Sequence, residues 1–170
     1  QFLLAWHGFP SGVFDGRFIY FVPTFDGTTT HGRVLRLDTQ GEFNQSASWR
    51  AYNAGNSGLP NTTGFKGGVF DGRFVYFVPY VGSGRVLRLD TQGEFTQSAS
   101  WSAFDAANTA PGGLLGFMGG AFDGRYVWFT PYNNNGPHGK VLRYDTQGTF
   151  TSAASWQAWD AGGTSGLDAR

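Results

Sequence analysis

Hydrophobic residues fall into short runs along the chain, and the same order of runs is written three times. The clearest repeat reads VFDGRFIYFVP, VFDGRFVYFVP and AFDGRYVWFTP. Its aspartate is Asp15, Asp71 and Asp123, so the units are spaced by 56 and 52 residues. An internal period of this size is typical of solenoids, propellers and arrays. We therefore expect one repeat domain.

Each unit contains four apolar runs that are too short for helices, and the sequence predicts four strands per unit. In the second unit the runs cover 64–70, 73–79, 84–91 and 100–106. An Asp-Gly turn joins the first two strands. The second strand ends at a proline, which cannot donate a hydrogen bond to a neighbouring strand.

The second predicted strand is apolar on both faces. Phe74, Tyr76 and Val78 point to one side, and Val75 and Phe77 point to the other. A strand of this kind lies between two layers. A four-stranded sheet with two apolar faces needs another sheet on each side, and the radial stacking of such sheets is the β-propeller.

The order DGRYVWFTPY, GKVLRYDT, then SW resembles the kelch-type β-propeller repeat. The resemblance spans all three units. The kelch diglycine closes the second strand, whereas this chain has Val-Pro or Thr-Pro there and places its paired glycines in the first strand. The resemblance implies a propeller architecture and, since such repeats serve enzymes and interaction modules alike, no particular function.

We therefore expect an all-β protein built from three four-stranded antiparallel blades. The predicted blades cover about 9–53, 65–105 and 117–160, and 161–170 form a tail. Propellers have about four to eight blades, so three blades leave two open edges. A second chain or further repeats would complete a ring, and the alternative fold is a β-trefoil.

Several residues recur in every unit, which indicates that they hold the blade together. The aspartate can cap its own turn, and the arginine can pair with an aspartate or lie against an aromatic ring. The recurrent tryptophans are expected to be packing anchors. These structural residues are Asp15, Arg17, Asp71, Arg73, Asp123, Arg125, Trp49, Trp101 and Trp156.

The segment after each proline is the only part of the unit that changes in length, which is typical of a surface loop. In a propeller this connection shares a face with the link from the fourth strand to the next blade. Hydroxyls, amides and aromatic rings gather there and suit sugars. The candidate ligand-binding residues are Asp26, His31, Tyr80, Ser83, Tyr132, Asn134 and His138.

Composition excludes several functions. Lys+Arg and Asp+Glu are both 12, so no cationic field attracts nucleic acid. No apolar run is long enough to span a membrane. There is no cysteine to supply thiolate ligands, and the aligned histidines are expected on separate blades, too far apart to share a metal ion. We therefore predict no metal site, and we predict no other cofactor. The two glutamates, Glu42 and Glu94, occupy the same position in two repeat units. A glycosidase needs two carboxylates in dissimilar environments, so the sequence does not predict one.

The sequence thus favours a non-catalytic extracellular module that binds carbohydrate through the loops of one face. The scarcity of lysine and the abundance of Gly, Ser, Thr and Asn indicate a secreted or cell-surface protein. The alternative is a structural protein that associates with itself through its open blade edges and has no small-molecule ligand.

Overall fold

The computed structural model describes residues 8–55, 57–82, 84–107, 109, 114–133 and 135–163. The strands of the first unit are β1 (Ser11–Phe14), β2 (Phe18–Val22), β3 (Arg33–Asp38) and β4 (Trp49–Asn53). Those of the second are β5 (Phe65–Phe70), β6 (Phe74–Pro79), β7 (Arg85–Asp90) and β8 (Trp101–Asp105). Those of the third are β9 (Phe117–Phe122), β10 (Tyr126–Pro131), β11 (Lys140–Asp145) and β12 (Trp156–Asp160).

Each unit folds into its own four-stranded antiparallel sheet, with the strands in sequence order. The predicted all-β fold of three propeller blades is confirmed. The β-trefoil alternative is wrong, because no strand in the described part of the chain is shared between two of the sheets.

The turns and strand ends follow from local chemistry. The glycines of the Asp-Gly turns have a positive backbone φ, which residues with a Cβ rarely adopt. The values are 105° at Gly16, 102° at Gly72 and 100° at Gly124. Pro79 ends β6 beside a β-bulge in which β5 carries one extra residue. The loop between the third and fourth strands contains a 3₁₀ turn, which the sequence did not predict because three residues give no periodic pattern.

The first strands of neighbouring blades pack side by side: β1 lies against β5, and β5 lies against β9. The Ser11 hydroxyl donates a 2.9 Å hydrogen bond to the Lys66 carbonyl across this contact. A Cβ at Gly68 would lie 2.3 Å from a methyl of Val13, and one at Gly120 would lie 2.8 Å from a methyl of Val69. Glycine is therefore needed in the first strand, because the neighbouring blade occupies the space of a side chain.

Aromatic side chains fill the space between blades. Trp101 stacks on Tyr52 of the preceding blade with ring centroids 5.7 Å apart. Trp156 stacks on Phe104 at 4.5 Å, with the two rings 6° from parallel. Two buried clusters result, one between the first and second blades and one between the second and third. Both tryptophans are buried in the joints between the blades.

Arginines add a second contact between blades. The Arg36 guanidinium lies 4.2 Å from the ring of Phe18 in its own blade and 4.5 Å from Phe95 in the next. Arg88 repeats the arrangement at 4.2 Å from Phe74 and 4.1 Å from Phe150. A guanidinium over an aromatic face is attracted by the ring electrons, so each blade joint contains a cation held between two rings.

The glycine pair of β9 provides a test of the close approach of the blades. We expect Gly120→Ala to lower the free energy of unfolding by about 1–3 kcal/mol, as overpacking does. Its Cβ would lie 2.8 Å from a methyl of Val69 in the neighbouring blade and 2.3 Å from the Trp128 carbonyl oxygen of its own blade. The neighbouring Gly119→Ala is the control, since its Cβ would meet Thr130 at an ordinary 3.5 Å. Urea denaturation measures both, and equal stabilities would contradict the packing.

Candidate functional site

The variable loops and the links between blades meet at one end of the sheets, which we call the loop surface. In the first blade the 24–32 loop is closed by a 3.1 Å hydrogen bond from the His31 amide to the Thr24 carbonyl. The link to the second blade is joined to this loop, since the Ala54 amide donates to the Gly32 carbonyl at 2.9 Å. The two connections therefore form a single surface.

Asp26 shapes the first variable loop. One of its carboxylate oxygens accepts hydrogen bonds from the amides of Thr28 and Thr29, at 2.9 and 2.8 Å. These amides hold the pKa of Asp26 below its usual value. The other oxygen lies 3.5 Å from the Arg33 guanidinium. Asp26 lies at the loop surface, and its carboxylate stabilises the turn there.

The two aligned histidines anchor their loops. His31 is buried, with 5% of its surface exposed, and its Nδ1 accepts from the Arg33 amide at 3.3 Å. His138 is half-buried, its Nδ1 accepts from the Lys140 amide, and its Nε2 lies 3.0 Å from the Leu115 carbonyl. We expected His31 to be a surface residue, but its ring packs edge-on against Phe9, as the His138 ring does against Phe117.

A polar pocket opens where the first variable loop meets the link to the second blade. It has a volume of about 190 Å³ and is lined by Thr29, Thr30, His31, Gly32, Arg33, Asn53, Gly55, Asn61 and Thr63. The hydroxyls of Thr30 and Thr63 lie 2.9 Å apart and join its two walls. Hydroxyl and amide groups both donate and accept hydrogen bonds, so this lining can bind a neutral polar molecule.

The ligand-binding residues predicted from the sequence did not include all of the residues that line this pocket. Asn53, Asn61 and Thr63 come from the fourth strand and the link between blades. The sequence of that link, NAGNSGLPNTTG, is rich in Asn and Thr, and this composition was the signal that could have identified these residues. The sequence could not give the fold of the link, in which Asn61 has a φ of 58°.

Aromatic rings lie on the same surface between the second and third blades. The rings of Tyr80 and Tyr132 are 6.2 Å apart, and the Lys66 ammonium lies 4.3 Å from the Tyr80 ring centre. Tyr132 is exposed and Tyr80 is half-buried. The loop of Tyr80 adjoins the polar pocket, since a Cβ at Gly82 would lie 4.0 Å from the Thr30 hydroxyl. Ser83 and Asn134, the two other candidates, lie outside the described residues.

The opposite end of each blade is fixed by the repeated aspartate. One oxygen of Asp71 accepts the amides of Arg73 and Phe74 at 2.9 and 2.7 Å, and the other accepts the Tyr76 hydroxyl at 2.7 Å. Asp15 makes the equivalent bonds in the first blade. In the third, the Trp128 indole replaces the tyrosine and still donates to Asp123 at 2.8 Å.

The repeated arginine connects this turn to the end of the third strand. Arg73 donates to both carboxylate oxygens of Asp90, at 3.2 and 2.7 Å. Arg17 pairs with Asp38 and Arg125 with Asp145 in the same two-point geometry. These hydrogen bonds hold the pKa of each paired aspartate below its usual value. The repeated residues thus brace the end of the blade that carries no variable loop.

Within the described residues, no group of three or more His, Cys, Asp or Glu side chains is placed to hold a metal ion. None of the helical segments in the described part of the chain has the length and apolar character needed to cross a membrane.

The order of the strands and the packing of neighbouring sheets place the protein in the β-propeller class. No family model and no curated protein matches the chain. A chain in a solved nidogen/laminin complex is similar in shape, with a TM-score of 0.48 and 16% identity. The similarity covers 86% of this chain and 46% of the other, so this chain spans less than half of that relative's length.

The arginine-aspartate pairs give the protein a defined response to acid. Because the pKa of Asp90 is lowered in the folded state, its contribution to stability is present above the ordinary value of 3.8 and is lost as the pH falls below it. We expect Asp90→Asn to cost about 1 kcal/mol or less at neutral pH, as exposed pairs do. The cost should shrink as the pH falls below that ordinary value.

Thermal melting of the wild type and the variant across this pH range measures the effect. Asp160→Asn, at the end of β12, is the control for removing one carboxylate. A difference between wild type and Asp90→Asn that stays constant with pH would show that the pair does not titrate as described.

Proposed function

We propose that this chain is a non-catalytic extracellular module that binds neutral glycans at the loop surface, and that its repeats are divergent kelch-like units. The observation that carries the proposal is the polar pocket, together with the Tyr80–Tyr132 pair on the same surface. The loop that carries Tyr80 adjoins the pocket at Thr30. A sugar offers hydroxyls at its edge and C–H groups on its faces. The pocket supplies partners for the hydroxyls, and the tyrosines supply flat apolar rings for the faces.

The size of the pocket favours a small ligand unit. Pockets for drug-sized molecules have volumes of about 300–1,000 Å³, and this pocket of about 190 Å³ is smaller. It suits one sugar ring, with neighbouring rings of a longer glycan lying along the surface towards the tyrosines. Because similar loops occur on each blade, weak contacts on several blades would add through avidity.

The charge of the chain is consistent with a neutral ligand. Arg33 in the pocket wall lies beside the Asp26 carboxylate, which offsets its charge. The net charge of the chain is zero. An anionic ligand would therefore find little attraction at long range, and hydrogen bonds and ring contacts remain as the means of recognition.

Glycan array screening followed by calorimetric titration tests this function. We expect Thr29→Val, which removes one pocket hydroxyl, to weaken binding by about 2- to 10-fold, the equivalent of one hydrogen bond. Tyr132→Ala should weaken binding of longer glycans, because it removes an exposed ring. Gln147→Ala in the third blade, at the opposite end of the sheet, is the control and should bind normally.

Two results would count against the proposal. A folded protein that binds no glycan on the array has a different function. Release of shorter sugars from a bound glycan, detected by chromatography, would show that the module is catalytic.

A further inference from the structure

The two outermost faces of the three blades expose large aromatic residues whose repeat equivalents are buried. Phe43 in the first blade is 72% exposed, whereas its equivalents Phe95 and Phe150 are 1% and 2% exposed. Trp159 in the third blade is 73% exposed, whereas its equivalent Phe104 is 9% exposed. The difference in exposure follows from the position of each blade. Phe95 and Phe150 are covered by the preceding blade, and Phe104 is covered by the following blade. Among the three blades, the first has no preceding neighbour and the third has no following one.

The outer face of the first blade, which we call the leading face, carries Phe14, Phe43 and Trp49. Phe14 is exposed, although its equivalents in β5 and β9 pack against the core. Trp49 stacks on Phe21 of its own blade and is half-buried. The leading face thus presents the same groups that fill the joint with a preceding blade elsewhere in the chain.

The outer face of the third blade, which we call the trailing face, carries Trp128, Arg143 and Trp159. These residues border an open cavity of about 690 Å³. The Arg143 guanidinium lies 4.4 Å from Tyr126 and 5.4 Å from Trp128, both in its own blade. Arg36 and Arg88 have, in addition, the phenylalanine of the following blade on their other side.

The two faces are complementary. Inside the chain, Phe95 lies 6.3 Å from Tyr52 and Phe150 lies 6.4 Å from Phe104, ring centre to ring centre. The same pairing would bring the leading-face Phe43 of one copy against the trailing-face Trp159 and Arg143 of another. Trp49 would then stack on Trp159, as Trp156 stacks on Phe104.

We propose that two copies of this chain associate head to tail through the leading and trailing faces and close a six-bladed ring. A contact between unlike faces generates a ring when its rotation closes. Propellers have about four to eight blades, and six is the multiple of three within that range. The joint would repeat the blade contact that the chain already makes twice, and it does not depend on what the loop surface binds.

The mass of the 170-residue chain in solution tests the association. Light scattering after size-exclusion chromatography should give twice the 18.5 kDa of one chain over a dilution series. A mass of 18.5 kDa would overturn the proposal. A mass that grows steadily with concentration would overturn the closed ring.

Two single variants identify the faces. We expect Phe43→Lys and Trp159→Glu each to halve the mass, because each puts a charge into an apolar joint. Both side chains are more than two-thirds exposed in the single chain, so the fold should survive, which circular dichroism checks. Phe25→Lys, a change at an exposed phenylalanine of the loop surface, is the control and should leave the mass unchanged.

Mixing the two variants separates a head-to-tail joint from a symmetric one. In a mixed pair one joint is entirely wild type and the other joins the introduced lysine to the introduced glutamate. Native mass spectrometry should therefore show a mixed dimer although each variant alone is monomeric. A symmetric joint between two trailing faces would leave Phe43→Lys dimeric, and that result would overturn the proposal.

Discussion

The structure depends on the contact in which a tryptophan of one blade stacks on the outer-strand aromatic residue of the blade before it. A single four-stranded sheet with two apolar faces has no interior of its own, so each face is buried only by a neighbour. Trp101 on Tyr52 and Trp156 on Phe104 supply this burial, and Arg36 and Arg88 reinforce it. Large aromatic surfaces of this kind dominate the energetics of cores and interfaces alike.

The two ends of each blade have different roles because they are fixed by different residues. At one end the repeated aspartate accepts two backbone amides and a side-chain donor, and the repeated arginine ties the turn to the third strand. This end is the same in all three blades. The other end is free to vary in length, since its loops bond mainly to one another, and the polar pocket and the tyrosine pair lie there.

The loop surface and the outer faces are assigned different roles: the first is the proposed ligand-binding surface, and the second are the proposed contacts between two copies of the chain. The hydroxyls, amides and rings of the loop surface come from several blades, so their relative positions depend on how the blades stack. Association through the outer faces would set the number of blades around the ring. A ring of six blades would place two copies of the loop surface on one side and increase the avidity for a repeated ligand.

The sequence by itself determined the number of units, their four strands, the turn at each Asp-Gly and the location of the variable loops, because these depend on local periodicity and turn chemistry. It also indicated that the repeated Asp, Arg and Trp residues are structural. It did not reveal that His31 is buried or that Asn61 and Thr63 complete a pocket with Thr30. Only the tertiary structure decided those points, since they depend on how separate loops fold against each other. The glycine pair of the first strand was visible in the sequence, but the reason for it is the close approach of a neighbouring blade, which is a property of the packed sheets.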